Sequence, residues 1–200
     1  MVQNMKITRK LFNMALLTRS FISGIFLSAF LISSSNHATA LDLDVPYVES
    51  PDEIVEVMMN ISDIGPTDYV IDLGTGDGRI VIAAGKRGAK GLGVDLDPEL
   101  IAVAKANAEK EGVSDKINFV VQDLFDTNLS QATVITLFLN EEVNLKLRST
   151  LLKLKPGTRI VSHNFNMGDW KPDRYQQVLI NSNGNFFIHD VFYWEIPPII

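Results

Sequence analysis

Past residue 50, the apolar positions of the chain keep two rhythms in turn. Short continuous runs occur at 69–73 (YVIDL), 91–95 (GLGVD), 116–121 (KINFVV), 132–139 (ATVITLFL) and 158–162 (TRIVS). Runs of that length with little polar alternation predict strands covered on both faces, as in a parallel sheet. Between them, residues 51–61, 79–87, 100–110 and 141–154 carry the spacing of helices. The punctuation agrees. Asp97 is placed to cap a helix that has Pro98 at its first position and Gly112 at its end, and Pro156-Gly157 closes the last helix. Residues 175–180 and 185–195 alternate around Asn181-Ser182-Asn183-Gly184, which predicts a hairpin. The expected fold class is α/β: a Rossmann-like, seven-stranded, mostly parallel sheet with an antiparallel C-terminal hairpin and helices on both faces.

The first forty residues depart from this pattern. They hold Lys6, Arg9, Lys10 and Arg19 with no acid, then the apolar run 21–32 (FISGIFLSAFLI), then a small polar stretch ending in Ala38-Thr39-Ala40. A basic flank, a short apolar run and an A-x-A site are the layout of a secretory signal. The run is shorter than the roughly 20 residues that span a bilayer, so an uncleaved anchor has to recruit its flanks. An ordinary first helix explains the apolar run but not the missing acids. The expectation is a signal peptide or N-terminal membrane anchor over 1–40 and one domain over 41–200. That domain is exported or associates with a membrane through the N-terminal segment, with a cytoplasmic location as the alternative.

Composition narrows the chemistry. With no cysteine in 200 residues, disulfides, thiolate metal sites and a Cys nucleophile are excluded. His37, His163 and His189 are too dispersed for a local metal motif, so no metal is expected. Beyond residue 40 the chain has 14 basic residues against 24 acidic ones, a net charge of −10. Such a domain repels phosphate backbones and accommodates a cationic partner, such as a lysine-bearing protein surface. No nucleic acid partner is expected.

The candidate ligand site begins at Gly74-Thr75-Gly76-Asp77-Gly78, between a predicted strand and a predicted helix. That order opens a nucleotide-binding βαβ unit. The spacing G-x-G-x-G is not the G-x-G-x-x-G of dinucleotide sites, and the Lys-Ser/Thr of a P-loop is missing. Asp72, near the end of its strand, disfavours a pyrophosphate and suits a ligand with an ammonium group and no phosphate. S-adenosylmethionine is such a ligand. Asp95 ends the second strand about 20 residues on, where an acid accepts ribose hydroxyls. Asp123 follows the third strand and can accept from an adenine amino group. Asp72, Gly74, Gly76, Asp95 and Asp123 are therefore the expected cofactor-binding residues.

As a set, these stations and the fourth strand resemble the class I S-adenosylmethionine-dependent methyltransferases over roughly residue 46 to the C-terminus. Within that class, four stretches resemble one subgroup. These are Val45-Pro46-Tyr47-Val48-x-Ser50-Pro51, the run 72–79 (DLGTGDGR), 137–147 (LFLNEEVNLKL) and 155–170 (KPGTRIVSHNFNMGDW). The subgroup is the small protein-lysine methyltransferases related to the mitochondrial enzymes that modify the ATP synthase c subunit and the adenine nucleotide translocase. The resemblance implies a protein lysine as methyl acceptor. The N-P-P-[YFW] signature of amino-group DNA and glutamine methyltransferases is absent after the fourth strand, where this chain has Leu139-Asn140-Glu141-Glu142. Asn140 and Tyr47, expected to flank the methyl group, are the candidate catalytic residues. Glu49, His163, Asn164, Asp169 and Trp170 are further acceptor-side candidates. A small-molecule methyltransferase and an exported, non-catalytic binding module are the alternatives.

Overall fold

The structure is a computed structural model and describes residues 47–198. Four helices, α1 (Asp52–Ile61), α2 (Arg79–Lys86), α3 (Pro98–Lys110) and α4 (Glu141–Leu151), alternate with five strands, β1 (Tyr69–Leu73), β2 (Lys90–Asp95), β3 (Ile117–Val121), β4 (Val134–Leu137) and β5 (Arg159–His163). A short 3-10 turn, Leu124–Asp126, follows β3, and β6 (Arg174–Ser182) and β7 (Asn185–Glu195) end the chain. The seven strands form one sheet in the order β3-β2-β1-β4-β5-β7-β6. β1 to β5 are parallel, and β7 runs antiparallel to both β5 and β6. The order reverses between β1 and β4, and the crevice above such a switch point is where open α/β sheets bind ligands.

Side-chain alternation along the strands divides the core in two. Val70 and Val134 face α1, α2 and α3, which bury Ile54, Met58, Val81, Ala84, Ile101 and Ala104 on that side. Ile71, Leu73, Ile135, Leu137, Ile160 and Trp194 face the other way, against the Val143, Leu147 and Leu151 stripe of α4. Side-chain caps mark the starts of α3 and α4. Asp97 accepts from the amides of Glu99 and Leu100 at the head of α3, and Asn140 accepts from Val143 N–H at the head of α4. Gly112 takes the left-handed conformation (φ +69°) after α3.

Element boundaries differ most from expectation at the fourth strand. It is confined to Val134–Leu137, because Ala132 is folded back in a turn onto the Leu129 carbonyl and residues 138–140 leave the sheet. That early exit places Phe138 and Leu139 beside the crevice rather than inside the sheet. The expected boundary between residues 40 and 41, and the segment before it, lie outside the described residues.

Candidate functional site

The parallel register aligns the carboxyl ends of the central strands: Leu73 pairs with Val94 and Leu137, and Asp95 pairs with Val121. A cleft opens over that edge. Its floor is the glycine loop, where Gly74, Gly76 and Gly78 have φ of +74°, +55° and +83°. The loop hangs from β2 through the amides of Gly74 and Thr75, which both donate to the Val94 carbonyl. A Cβ at Gly74 would lie 2.6 Å from Leu139 Cδ2, and one at Gly76 would lie 2.5 Å from Tyr47 Cε2. The loop therefore needs glycine twice over, for its backbone conformation and for the close approach of the cleft walls.

Asp95 and Asp123 both line the cleft. One oxygen of Asp95 accepts from Gly76 N–H at 2.8 Å and the other from Asp97 N–H at 3.0 Å. Each carboxylate oxygen retains a second lone pair, so the group is oriented by the backbone and still has capacity for two hydroxyls. Asp123 likewise spends one oxygen on Phe125 N–H at 2.8 Å and has its other oxygen in hand. Leu96, Leu100, Leu124 and Phe125 add apolar surface to the same cleft. An adenosine matches that set of acceptors, with hydroxyls donating to Asp95, an amino group donating to Asp123 and a flat ring against the apolar side chains. The residues thus fit S-adenosylmethionine.

Asp72 does not line the cleft. Register sets it beside Thr136 of β4, on the face toward α2, where it is 1% exposed. Thr136 Oγ1 donates to it at 2.5 Å and Thr75 Oγ1 at 2.7 Å. Burial pushes its pKa up to about 6, against the two hydroxyl bonds that pull it down. Its contact with the site runs through Thr75, a member of the glycine loop.

Tyr47 does line the cleft, with its ring over Gly76. Burial, reinforced by the charge of Asp77, raises the Tyr47 phenol to about 12. The phenol is therefore a hydrogen-bond donor at neutral pH, and Asp77 is its acceptor. Burial raises the Asp77 pKa, but the hydrogen bonds and charge of Arg79 outweigh it and hold the carboxyl below its usual range. Arg79 also pairs with Glu49 at 3.0 Å and donates to the Ser50 carbonyl at 3.0 Å. Arg79 thus straps residues 47–50 across the mouth of the cleft.

The acceptor-side candidates separate. Glu49 lines the cleft, whereas Asn140, whose side chain caps α4, is not among its lining residues, although Phe138, Leu139 and Val143 are. Asn164 exchanges hydrogen bonds with the backbone of Asp190, Asp169 is ion-paired with Arg148, and the Trp170 ring packs on Trp194 at 5.7 Å. These three shape the loop after β5. His163 lies behind Ser50 and Phe138, fully buried. Ser50, Gln122, Phe138 and Leu139 are lining residues that the sequence reading missed. Ser50, Phe138 and Leu139 lie within stretches that carry the family resemblance and Gln122 adjoins Asp123, but nothing in the string marks any of them as a wall of the cleft.

Comparison with known proteins gives a consistent picture. The family described as the ANTKMT methyltransferase domain matches residues 72–174. A protein-lysine N-methyltransferase of Saccharolobus islandicus is 42% identical over 76% of this chain and 94% of its own length. The lysine N-methyltransferase of the ATP synthase c subunit from Xenopus laevis is 30% identical over 79% of this chain and 70% of its own length. The crystal structure of an RNA methyltransferase from Salinibacter ruber, in complex with S-adenosyl-L-homocysteine, superposes with a TM-score of 0.67. It is 44% identical and covers 76% of this chain and 96% of that one.

Proposed function

This chain belongs to the methyltransferase family of the ANTKMT domain and the protein-lysine N-methyltransferases, and on that premise we propose that it methylates the side-chain amine of lysine in a protein. It is an S-adenosylmethionine-dependent enzyme. The observation that carries the lysine acceptor is the 42% identity maintained across 94% of a protein-lysine methyltransferase. The acidic balance of the domain agrees with it, since a negative surface favours the approach of a cation. An RNA acceptor, after the Salinibacter ruber protein, fits poorly with a net charge of −10 beyond residue 40. Polyanion binding draws its affinity from cations that neutralise phosphates.

When bound, the cofactor supplies an electrophilic methyl group on a sulfonium. The work of the chain is to hold, orient and dry. Asp95 and Asp123 fix the adenosine end, and Tyr47, kept protonated, closes over the glycine loop. Phe138 and Leu139 exclude water beside the strand ends. A lysine ammonium entering that apolar mouth is desolvated, which lowers its pKa and favours the neutral nucleophile.

Incubation of the purified protein with methyl-labelled S-adenosylmethionine and a total protein extract tests the acceptor. Label is expected in methyllysine after acid hydrolysis. Label that is released by ribonuclease, held as base-labile carboxyl ester or carried by small molecules would overturn the lysine assignment.

Residues 1–40 carry a second proposal, export or membrane anchoring, supported by their basic, acid-free composition and the Ala38-Thr39-Ala40 site. Among the described residues no helix is long and apolar enough to cross a membrane. Expressed whole in a bacterial host, the chain is expected in the membrane fraction or outside the cytoplasm. If processed, its new N-terminus should be Leu41. A soluble cytoplasmic product beginning at Met1 would contradict this proposal.

A further inference from the structure

His163 ends β5, is wholly shielded from solvent and has no part in holding the cofactor. Both of its ring nitrogens are hydrogen-bonded. Nδ1 meets Ser50 Oγ at 2.9 Å, and Nε2 meets His189 Nδ1 of β7 at 2.9 Å. The Phe138 ring lies against it, with centroids 3.9 Å apart. Ser50 lines the cleft, and His189 is half-buried. The chain of hydrogen bonds therefore has one end in the cleft and the other toward solvent.

A histidine that only supports a fold is commonly fixed by a carbonyl or carboxylate, which accepts and never donates. Here both partners of His163 can donate and accept. A chain built only of such groups can reverse its direction, as proton transfer along it requires. Burial, and then the neighbouring His189, lower the pKa of His163 to about 3, against the pull of Asp190. The ring therefore passes a proton on and does not store one. The groups around it bring little other charge. Asp190 is engaged by Tyr175 Oη at 2.6 Å and Gln177 Nε2 at 3.1 Å, both of β6, where Val178 lies opposite His189. α1, packed on β5 and β7, buries Ile54, Val55, Met58 and Met59.

We propose that Ser50, His163 and His189 form a relay that carries the proton of the acceptor lysine out of the cleft before methyl transfer. The relay rests on the lysine reading above. The ammonium gives a proton to Ser50 Oγ as the hydroxyl proton of Ser50 passes to His163 Nδ1. The Nε2 proton of His163 passes to His189 Nδ1, and His189 releases its Nε2 proton to water. One proton leaves, nothing is oxidised or reduced, and the amine keeps the electron pair that attack on a methyl carbon needs.

Ser50→Ala and His189→Gln break the relay at its two ends. The rate of label incorporation into the lysines of a protein extract is expected to fall at least tenfold at pH 7 in each. The loss should shrink toward pH 10, where more of the lysine arrives already neutral. Circular dichroism spectra should match wild type in both variants, which shows that they fold. A second readout needs no turnover. In the ligand-free protein, Ser50→Ala should change the tautomer balance of His189 in imidazole 15N spectra, although the two residues are joined only through His163. Variant rates that match wild type, a loss equal at every pH, or an unmoved His189 signal in Ser50→Ala would overturn the relay alone. If the wild-type protein puts no label on lysine, the lysine reading fails and the relay falls with it.

Discussion

Replacing Asp95 by alanine is expected to weaken S-adenosylhomocysteine binding by about 30- to 100-fold, roughly 2–3 kcal/mol, through loss of charge-assisted hydrogen bonds. The size of the effect comes from the double employment of one carboxylate. Facing inward, it holds the amides of Gly76 and Asp97 at 2.8 and 3.0 Å. Facing the cleft, its remaining lone pairs are placed for the ribose hydroxyls. Alanine removes both functions at once and frees the glycine loop at the point where Tyr47 presses on it. Asp95→Asn keeps one acceptor oxygen and should fall between wild type and alanine. Calorimetry that finds the alanine variant folded and its dissociation constant unchanged would sink the assignment of this cleft to the cofactor.

Asp72→Asn is expected to stabilise the protein at pH 8 and to leave it nearly unchanged at pH 4. The folded-state pKa of Asp72 is about 6 against an ordinary 3.8, raised by burial. Between those two values the folded state keeps a proton that the unfolded state has lost. Stability therefore falls as pH rises through the window, and the cost is complete above about pH 6. At 1.36 kcal/mol per unit, a shift of that size corresponds to about 3 kcal/mol. Asparagine carries no such penalty, and the hydroxyls of Thr75 and Thr136 can turn to accept from its amide. Thermal denaturation across pH 4 to 8 measures the difference. A variant whose midpoint stays below that of wild type at pH 8 would show that the carboxylate's hydrogen bonds outweigh its burial. A charge retained at that cost beneath the glycine loop points to service in the site, so S-adenosylhomocysteine affinity should fall in the same variant.

Much of the fold was legible because its elements are local. The strands at 69–73, 91–95 and 185–195 are continuous or alternating apolar runs, and the α3 boundaries follow from Asp97, Pro98 and Gly112. Each of those signals acts over a few residues, where sterics and capping decide the outcome. Less legible was the fate of the fourth apolar run. Val134–Leu137 and Phe138-Leu139 look alike in composition, yet the first four residues join the sheet and the next two wall the cleft. Only pairing with β1 and β5, which ends at Leu137 on both sides, separates them.

The sequence by itself determined the element order, the glycine loop and the acids at the strand ends, because each is written in residues adjacent along the chain. It also determined the family, through motifs whose spacing is a property of the string alone. What an acid at a strand end does was decided only in three dimensions. Asp95 ends β2 and Asp123 lies two residues past the end of β3, both on the cleft, whereas Asp72 lies one residue short of its strand end, and the two-residue alternation of a strand turns it under the loop toward Thr136. The relay of Ser50, His163 and His189 was likewise beyond the sequence. Its members are 113 and 26 residues apart along the chain. They meet because an antiparallel last strand returns beside β5, while Arg79 draws the segment ahead of α1 across the mouth. No local rule connects residues at such separations, and the packed sheet alone supplies the contact.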